Sequence, residues 1–574
     1  MQTDLLSRSS YTFIVHYLAY MPKASHKATP TTSRNILLLL IFILALIFRV
    51  YKLGVVPASF YVEEMTNTYV GKFILMHGKD IYNHWLPLVY FDKFGDYPPV
   101  LPLYLSGLGA LILGTSEFAG RFPLALIGAL LVFPVYSLAY LFFQKRATAL
   151  FAAFICALTP WHIVLSRTTA EGVVGLTIYA YAMLWILQGI LSGDTKRIYK
   201  SFGLFFLTYF LYPGLRLLTP LTLLPLPFIF TDVKSNIKRA LIYGIIGSFV
   251  LTAYISTTTW GQARFKQTSL FGDPIMRQTI QSRSESLSNM LGANQVTKAR
   301  IFHNKFVLYS REFVSQYLSY FSPKYLFFES GGQFRYYNVP DQGLFFLAII
   351  PFIAALLLLT QTTTLTKFMT YTLYILAIAP ISAAITTDFV PHAHRSMFMI
   401  LPIILLATGG FHALWNQGRY KKLLVYAMFV LMTFEIVYFW HQYAEIATSF
   451  QSTLRNDGDP EVVKYVIANR SKYEHVYLTK FDRIPLYYLF YADNFERKLT
   501  DQFEIGFAIK SVDNVTFVDN DCASVMLPVE AFSQNVLVVD SAKCEGKNEL
   551  YGIDVINRHD GTSAYKLLTT QKPQ

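Results

Sequence analysis

Two carboxylates stand side by side in SFYVEEMTNTYVG, residues 59–71, as Glu63 and Glu64. Arginines occur farther along at the borders of apolar runs: Arg121 in GRFP, Arg167 in SRTTAEG, and Arg395 in PHAHRS beside His392 and His394. A carboxylate accepts the proton of an attacking hydroxyl. A guanidinium fork matches paired phosphate oxygens better than an ammonium group does. The pattern suits chemistry in which a hydroxyl is activated at one point and a phosphate is held at another. What must position these groups is read from the rest of the chain.

Of the 574 residues, 53% are hydrophobic and only 15% charged, which points to a polytopic membrane protein. The abundance of Phe (48) and Tyr (39) agrees, since aromatic rings collect at lipid–water boundaries. The net charge of +13 falls in short clusters between apolar spans, as the positive-inside rule requires, and this argues against nucleic acid as a partner. No cleavage site follows the first apolar run, so it reads as a retained span rather than a signal peptide.

A ruler of about 20 apolar residues per crossing places about eleven spans, near 35–50, 120–143, 147–165, 172–191, 201–213, 215–231, 240–257, 342–360, 367–385, 397–415 and 422–442. The basic loops QKR (144–146), SGDTKRIYK (192–200), TDVKSNIKR (231–239) and NQGRYKK (416–422) belong on the cytoplasmic side with residues 1–34. Residues 51–119, 258–341 and the portion from 443 onward then lie outside. The expected architecture is an all-α membrane domain over 35–442 and a small extracytoplasmic α/β domain over 443–574, in a multi-pass plasma (inner) membrane.

In the first outer loop, Met65, Tyr69, Phe73 and Met76 recur at helical spacing and Gly78 follows as a stop, which predicts a short helix in the interface plane. PPVLPLYLSGLGALILG (98–114) reads as another interfacial or re-entrant helix. In the tail, DPEVVKYVIANR (459–470) predicts a helix with Asp459 as N-cap, and HVYLTK, NVTFVD, NVLVVDSA and IDVINR predict strands. Cys522 and Cys544 are a plausible disulfide pair if the tail faces an oxidising compartment.

This topology sends Glu63, Glu64, Arg121, Arg167, His392, His394 and Arg395 to one face, at headgroup depth. Each has a plainer reading. The acids favour the positive end of the helix they begin, and arginines at span ends snorkel. An i,i+2 His pair is a weak metal signal. Gathered on the face where the positive-inside rule predicts few arginines, the groups suit one reaction. A sugar on a lipid phosphate loses that phosphate as a hydroxyl attacks its anomeric carbon, with a carboxylate as base and guanidinium groups on the leaving phosphate. Arg335, with Tyr336 and Tyr337, is either a further phosphate or sugar contact or part of an aromatic belt.

The order of these segments, with GDYPPVLPLY (95–104), EFAGRFPLALIGAL (117–130), YLSYFSPKYLFF (317–328) and PHAHRSMFMILP (391–402), resembles the GT-C superfamily of integral-membrane glycosyltransferases. Within it the chain is similar to bacterial family 39 members, protein O-mannosyltransferases and the lipid A aminoarabinose transferase. The resemblance covers roughly residues 35–420. It implies an inverting transferase that moves a sugar from a polyprenyl-phosphate donor to a protein, lipid or cell-wall glycan acceptor outside the membrane. It maps the catalytic base onto Glu63 and the second acid onto Glu64, and it puts Arg121, Arg167 and Arg395 on the donor phosphate. The usual first acid is Asp, so Glu63 is one methylene longer; Glu64 or Asp96 is the alternative base. Some relatives hold a divalent ion near the acidic loop and others work without one, with Glu63, Asp96, His392 and His394 as conceivable ligands. The rival readings are a transporter or flippase for a lipid-linked saccharide, or a non-catalytic binder of one.

Overall fold

The computed structural model of the protein describes residues 33–572, apart from 93–96, 293–294, 330–334, 338, 357–362, 417–418, 451, 481–482, 498, 500–508 and 546–548. Residues Ile41–Gln574 form one compact unit; Met1–Leu40 form another, whose described part is the start of helix α1 (Ser33–Val50).

Most of the chain is helical, as the hydropathy requires. Among the described residues six helices are long and apolar enough to cross a membrane: Glu117–Phe143, Glu171–Ser192, Ser235–Thr257, Leu365–Ala384, Met397–Trp415 and Tyr420–Ser449. A seventh span is formed if Arg146–Leu158 and Pro160–Ser166 count as one. That pair is bent by 52° where Pro160 cannot donate to the preceding turn. The remaining expected crossings are shorter than the ruler demands. The apolar helices Ile36–Val50 and Leu215–Ile229 are short, and Thr195–Thr208 ends before Pro213. Part of 342–360 lies outside the described residues. Proline and glycine, which hydropathy counts as neutral, cut these runs.

The first loop is packed into the rest of the protein. Helix α2 (Val62–His77) buries eleven of its sixteen residues. One side crosses helix α3 (Leu101–Leu113) so closely that a Cβ on Gly71 would stand 2.0 Å from the Leu103 carbonyl oxygen. On the other side Met65, Tyr69 and Phe73 enter one apolar core with Val462, Tyr487 and Leu537 of the C-terminal region. Several of its polar residues are satisfied within the protein. Thr66 and Thr68 bond the preceding turn at 2.7 and 2.8 Å, and Lys72 meets Asp493 at 2.7 Å.

The C-terminal sheet has six strands in the order β2-β3-β1-β4-β6-β5. They are β1 (His475–Thr479), β2 (Ser511–Val512), β3 (Val515–Val518), β4 (Val536–Ser541), β5 (Tyr551–Asn557) and β6 (Ser563–Thr569). Strand β1 runs parallel to both β3 and β4, and the other pairings are antiparallel. The four expected strands are β1, β3, β4 and β5. Strand β6, whose SAYKLLT lacks β-branched residues except at its end, went unread. Helix Asp459–Asn469 starts one residue earlier than expected: Gly458 is the N-cap, and Asp459 instead accepts from Tyr565 Oη at 2.6 Å. Cys522 and Cys544 are joined by a disulfide.

Candidate active site

Adjacent residues on a helix point about 100° apart, and the acidic pair is divided accordingly. Glu64 turns inward and is 3% exposed. Arg121, fully buried, donates Nε to its Oε1 at 3.0 Å and Nη2 to its Oε2 at 2.8 Å. Arg455 donates Nη2 to the same Oε2 at 2.8 Å, and the Tyr61 amide donates to it at 3.3 Å. Burial lowers Arg455 below its ordinary value; Glu64 opposes this and Arg121 reinforces it. Glu63 turns the other way, into open space.

That space has two parts. A cavity of about 740 Å³ is lined by Glu63, Glu171, Arg216, Arg335, Asp388, His392, His394 and Arg395 among others. A pocket of about 40 Å³ is lined by Glu63, Asn67, Pro98, Pro99, Thr168, Thr169, Glu171 and Arg335, with buried Glu64 at its edge. Tyr61, Glu63, Glu171, Arg335 and Tyr336 border both. A small polar recess and a large cavity thus share a wall that carries two carboxylates and a guanidinium.

The loop PHAHRS is held from beneath. Trp161 donates its indole N–H to the Ala393 carbonyl at 2.8 Å. Tyr325 Oη lies 2.8 Å from Ser396 Oγ, and the His392 amide donates to Tyr320 Oη at 3.3 Å. Both tyrosines belong to the YLSYFSPKYLFF segment, so that segment supports the cavity wall. Arg395 meets Asp388 at 3.2 Å on the cavity side.

Two arginines are not where the sequence puts them. Arg121 lines neither space: its remaining donors go to the carbonyls of Leu53, Pro57 and Ser59 at 2.6–3.2 Å, so no N–H is left for a phosphate. Arg167 is also fully buried, donating to the Phe48 and Val56 carbonyls at 2.9 and 2.8 Å and lying over Trp440 and Tyr443. A guanidinium that organises loop carbonyls has the same sequence signature as one that binds a phosphate. Asp96 lies outside the described residues, though Pro98 and Pro99 of its segment line the small pocket.

Two residues of the cavity wall and one buried behind it carry no assignment from the sequence. Glu171 is visible in SRTTAEG as an acid opening an apolar run, and Arg216 as a cation within one, both signals of function at membrane depth. Arg216 lies over the Trp260 ring at 4.7 Å. Arg455 carries no such signal, because it sits in a polar stretch.

Of the conceivable metal ligands, Asp96 lies outside the described residues. Among the described residues no group of three or more His, Cys, Asp or Glu side chains could hold an ion. His394 Nε2 accepts the Gly172 amide at 3.2 Å, which occupies its lone pair, and the His392 and His394 rings are 6.3 Å apart.

Residues 96–260 match the family described as dolichyl-phosphate-mannose-protein mannosyltransferase. The match supports the GT-C resemblance, and the class it points to is a membrane glycosyltransferase. Among solved structures the chain is similar to ArnT from Cupriavidus metallidurans bound to undecaprenyl phosphate. That likeness has 11% identity and a TM-score of 0.47, and covers 95% of this chain and 99% of that one. The apo form of the same protein gives 12% identity and a TM-score of 0.43, covering 99% and 100%. No curated protein matches the chain.

Proposed function

We propose that the protein is an inverting glycosyltransferase acting at the extracytoplasmic face of the membrane. It transfers a sugar from a polyprenyl-phosphate donor to a hydroxyl of a protein, lipid or glycan acceptor. The observation that carries this reading is the shared wall: Glu63 and Glu171 face the same spaces as Arg335. The match to a family described by a dolichyl-phosphate-mannose donor supports the same donor class.

In the proposed reaction the acceptor hydroxyl gives its proton to Glu63 as its oxygen bonds to the anomeric carbon. The bond from that carbon to the phosphate oxygen breaks, and the electron pair leaves with the polyprenyl phosphate. The large cavity takes the donor and the small recess the acceptor hydroxyl. Of the cations lining the cavity, Arg335 borders both spaces with the two acids and receives the leaving phosphate, while Arg395 and Arg216 line the large cavity alone. Arg121 and Arg167 act structurally. The fixed positive charge is oriented before the reaction, so it costs little reorganisation as phosphate charge develops.

The test is consumption of a panel of polyprenyl-phosphate sugars by the protein in lipid nanodiscs, with Glu63→Gln and Arg335→Ala alongside. Transfer or hydrolysis abolished in Glu63→Gln, with donor binding retained, is the expected result. A protein that binds donors yet consumes none, even with cell lysate as acceptor source, overturns the reading in favour of a binder or transporter.

A further inference from the structure

The C-terminal region is more than a neighbour of the candidate site. Four residues of one short stretch tie the start of helix α2 to the C-terminal strands. Arg455, 3% exposed, donates Nε to the Ala58 carbonyl at 3.1 Å, Nη2 to Glu64 Oε2 at 2.8 Å, and Nη1 to the Arg335 carbonyl. Asn456, held at a positive φ of 58°, accepts the Val62 amide on its side-chain oxygen at 3.3 Å and the Ser59 hydroxyl on its carbonyl at 3.1 Å. Asp457 takes the backbone and ring nitrogens of His559, and Asp459 takes the Tyr565 hydroxyl.

At the start of helix α2 Glu64 accepts the Tyr61 amide, which leaves the next amide, that of Val62, outside this reciprocal cap. Asn456 supplies its acceptor from 394 positions away. That contact lies one residue from Glu63, and Arg455 grips Glu64 on its other side. The same guanidinium holds the backbone of Arg335, the cation that shares both spaces with Glu63. One side chain therefore fixes the acid-bearing helix and the cation-bearing loop relative to each other.

We infer that Arg455 is a positioning residue, assisted by Asn456, which sets the placement of Glu63 against Arg335 and makes the C-terminal domain an obligatory part of the catalytic site. The inference deepens the transferase reading above and rests on it. Rigid placement matters because a displacement of about 1 Å costs roughly 100-fold in rate. The chemistry of the fork is also specific. A planar guanidinium reaches three acceptors at once, whereas an ammonium on a flexible stem satisfies one geometry at a time.

The experiment compares Arg455→Met, Arg455→Lys and Asn456→Ala with the wild-type protein in nanodiscs. It measures kcat and donor KM per folded molecule, together with hydrogen exchange at the first turn of α2. Arg455→Lys is expected to fold, keep the charge, and still lose about 100-fold in kcat. Asn456→Ala is expected to lower kcat about tenfold with little change in KM, and to speed exchange of the Val62 amide. Should Arg455→Met fail to fold, the other two variants decide. Wild-type kcat in Arg455→Lys, or activity that merely follows the folded fraction in every variant, overturns the inference while leaving the transferase reading intact. A wild-type protein that consumes no donor overturns both.

Discussion

Arg121 and Glu64 form a two-point contact, Nε to Oε1 at 3.0 Å and Nη2 to Oε2 at 2.8 Å, in which both side chains are buried. The pair joins the start of a membrane-spanning helix to the helix that carries Glu63. Removing Glu64 leaves two buried guanidinium groups without their acid, and removing Arg121 leaves Glu64 to Arg455 alone; breaking a buried pair costs about 3–5 kcal/mol in comparable sites. Arg121→Ala and Glu64→Gln are therefore expected to lower the thermal midpoint sharply and to reduce folded yield. Glu63→Gln, at a partly exposed position, is expected to leave the midpoint near that of the wild type. Thermal unfolding of the purified proteins in detergent separates the two classes. A stable Arg121→Ala that has lost only donor affinity would return Arg121 to the donor phosphate.

The length of Glu63 is a second point of test. The resemblance leads one to expect Asp, yet the spaces here are lined by Glu. Glu63→Asp retracts the carboxylate by one methylene, a displacement of about 1 Å that costs roughly 100-fold in rate. The variant is expected to fold normally and to fall by that order in kcat on the best donor. An unchanged or faster rate would show that the recess still fits the shorter acid.

The contact of α2 with α3 gives a steric prediction. A Cβ on Gly71 would stand 2.0 Å from the Leu103 carbonyl oxygen, and one on Gly107 would stand 2.1 Å from the Gly71 carbonyl carbon. The opposing atoms are backbone, so Gly71→Ala must part the helices, at a cost of about 1–3 kcal/mol or more. Gly247, in helix Ser235–Thr257, meets nothing within 4 Å. Gly247→Ala is expected to be neutral or stabilising by up to about 1 kcal/mol, since glycine in a helix interior is unfavourable by that order. Melting curves of the two variants make the comparison.

His559 links stability to pH. Its hydrogen bond to Asp457 raises its pKa, outweighing burial, and the charge of Asp457 adds to this. The folded state holds the imidazole proton more tightly than the unfolded chain does. The stabilisation is complete below the ordinary histidine value of about 6.5 and is lost as pH rises through the raised value. The thermal midpoint is expected to decline across that window in the wild type and to flatten there in His559→Gln. An identical decline in both proteins would assign the pH dependence to other groups.

How far the sequence reaches is clear from particular residues. The long apolar helices and strands β1, β3, β4 and β5 were legible because apolar runs of spanning length and short runs rich in β-branched residues are local features of the chain. Glu63 was legible as an acid at the cavity, and PHAHRS as part of its wall. The break at Pro160 lies within a run whose hydropathy is continuous, and only the chain's actual path shows the 52° bend there.

By itself, then, the sequence determined that this chain is a membrane protein with a small α/β region after its last span. Those properties follow from composition and from period along the chain, which are local. The tertiary structure alone decided which acid faces the cavity, since Glu63 and Glu64 differ only in direction around one helix. It alone decided that Arg121 and Arg167 organise backbone carbonyls while Arg335 and Arg395 line the open space. The same holds for Arg455, whose role depends on meeting Glu64 across 391 positions of sequence. A guanidinium has five donors and no preference for one acceptor over another. What it binds is settled by what the fold brings within reach.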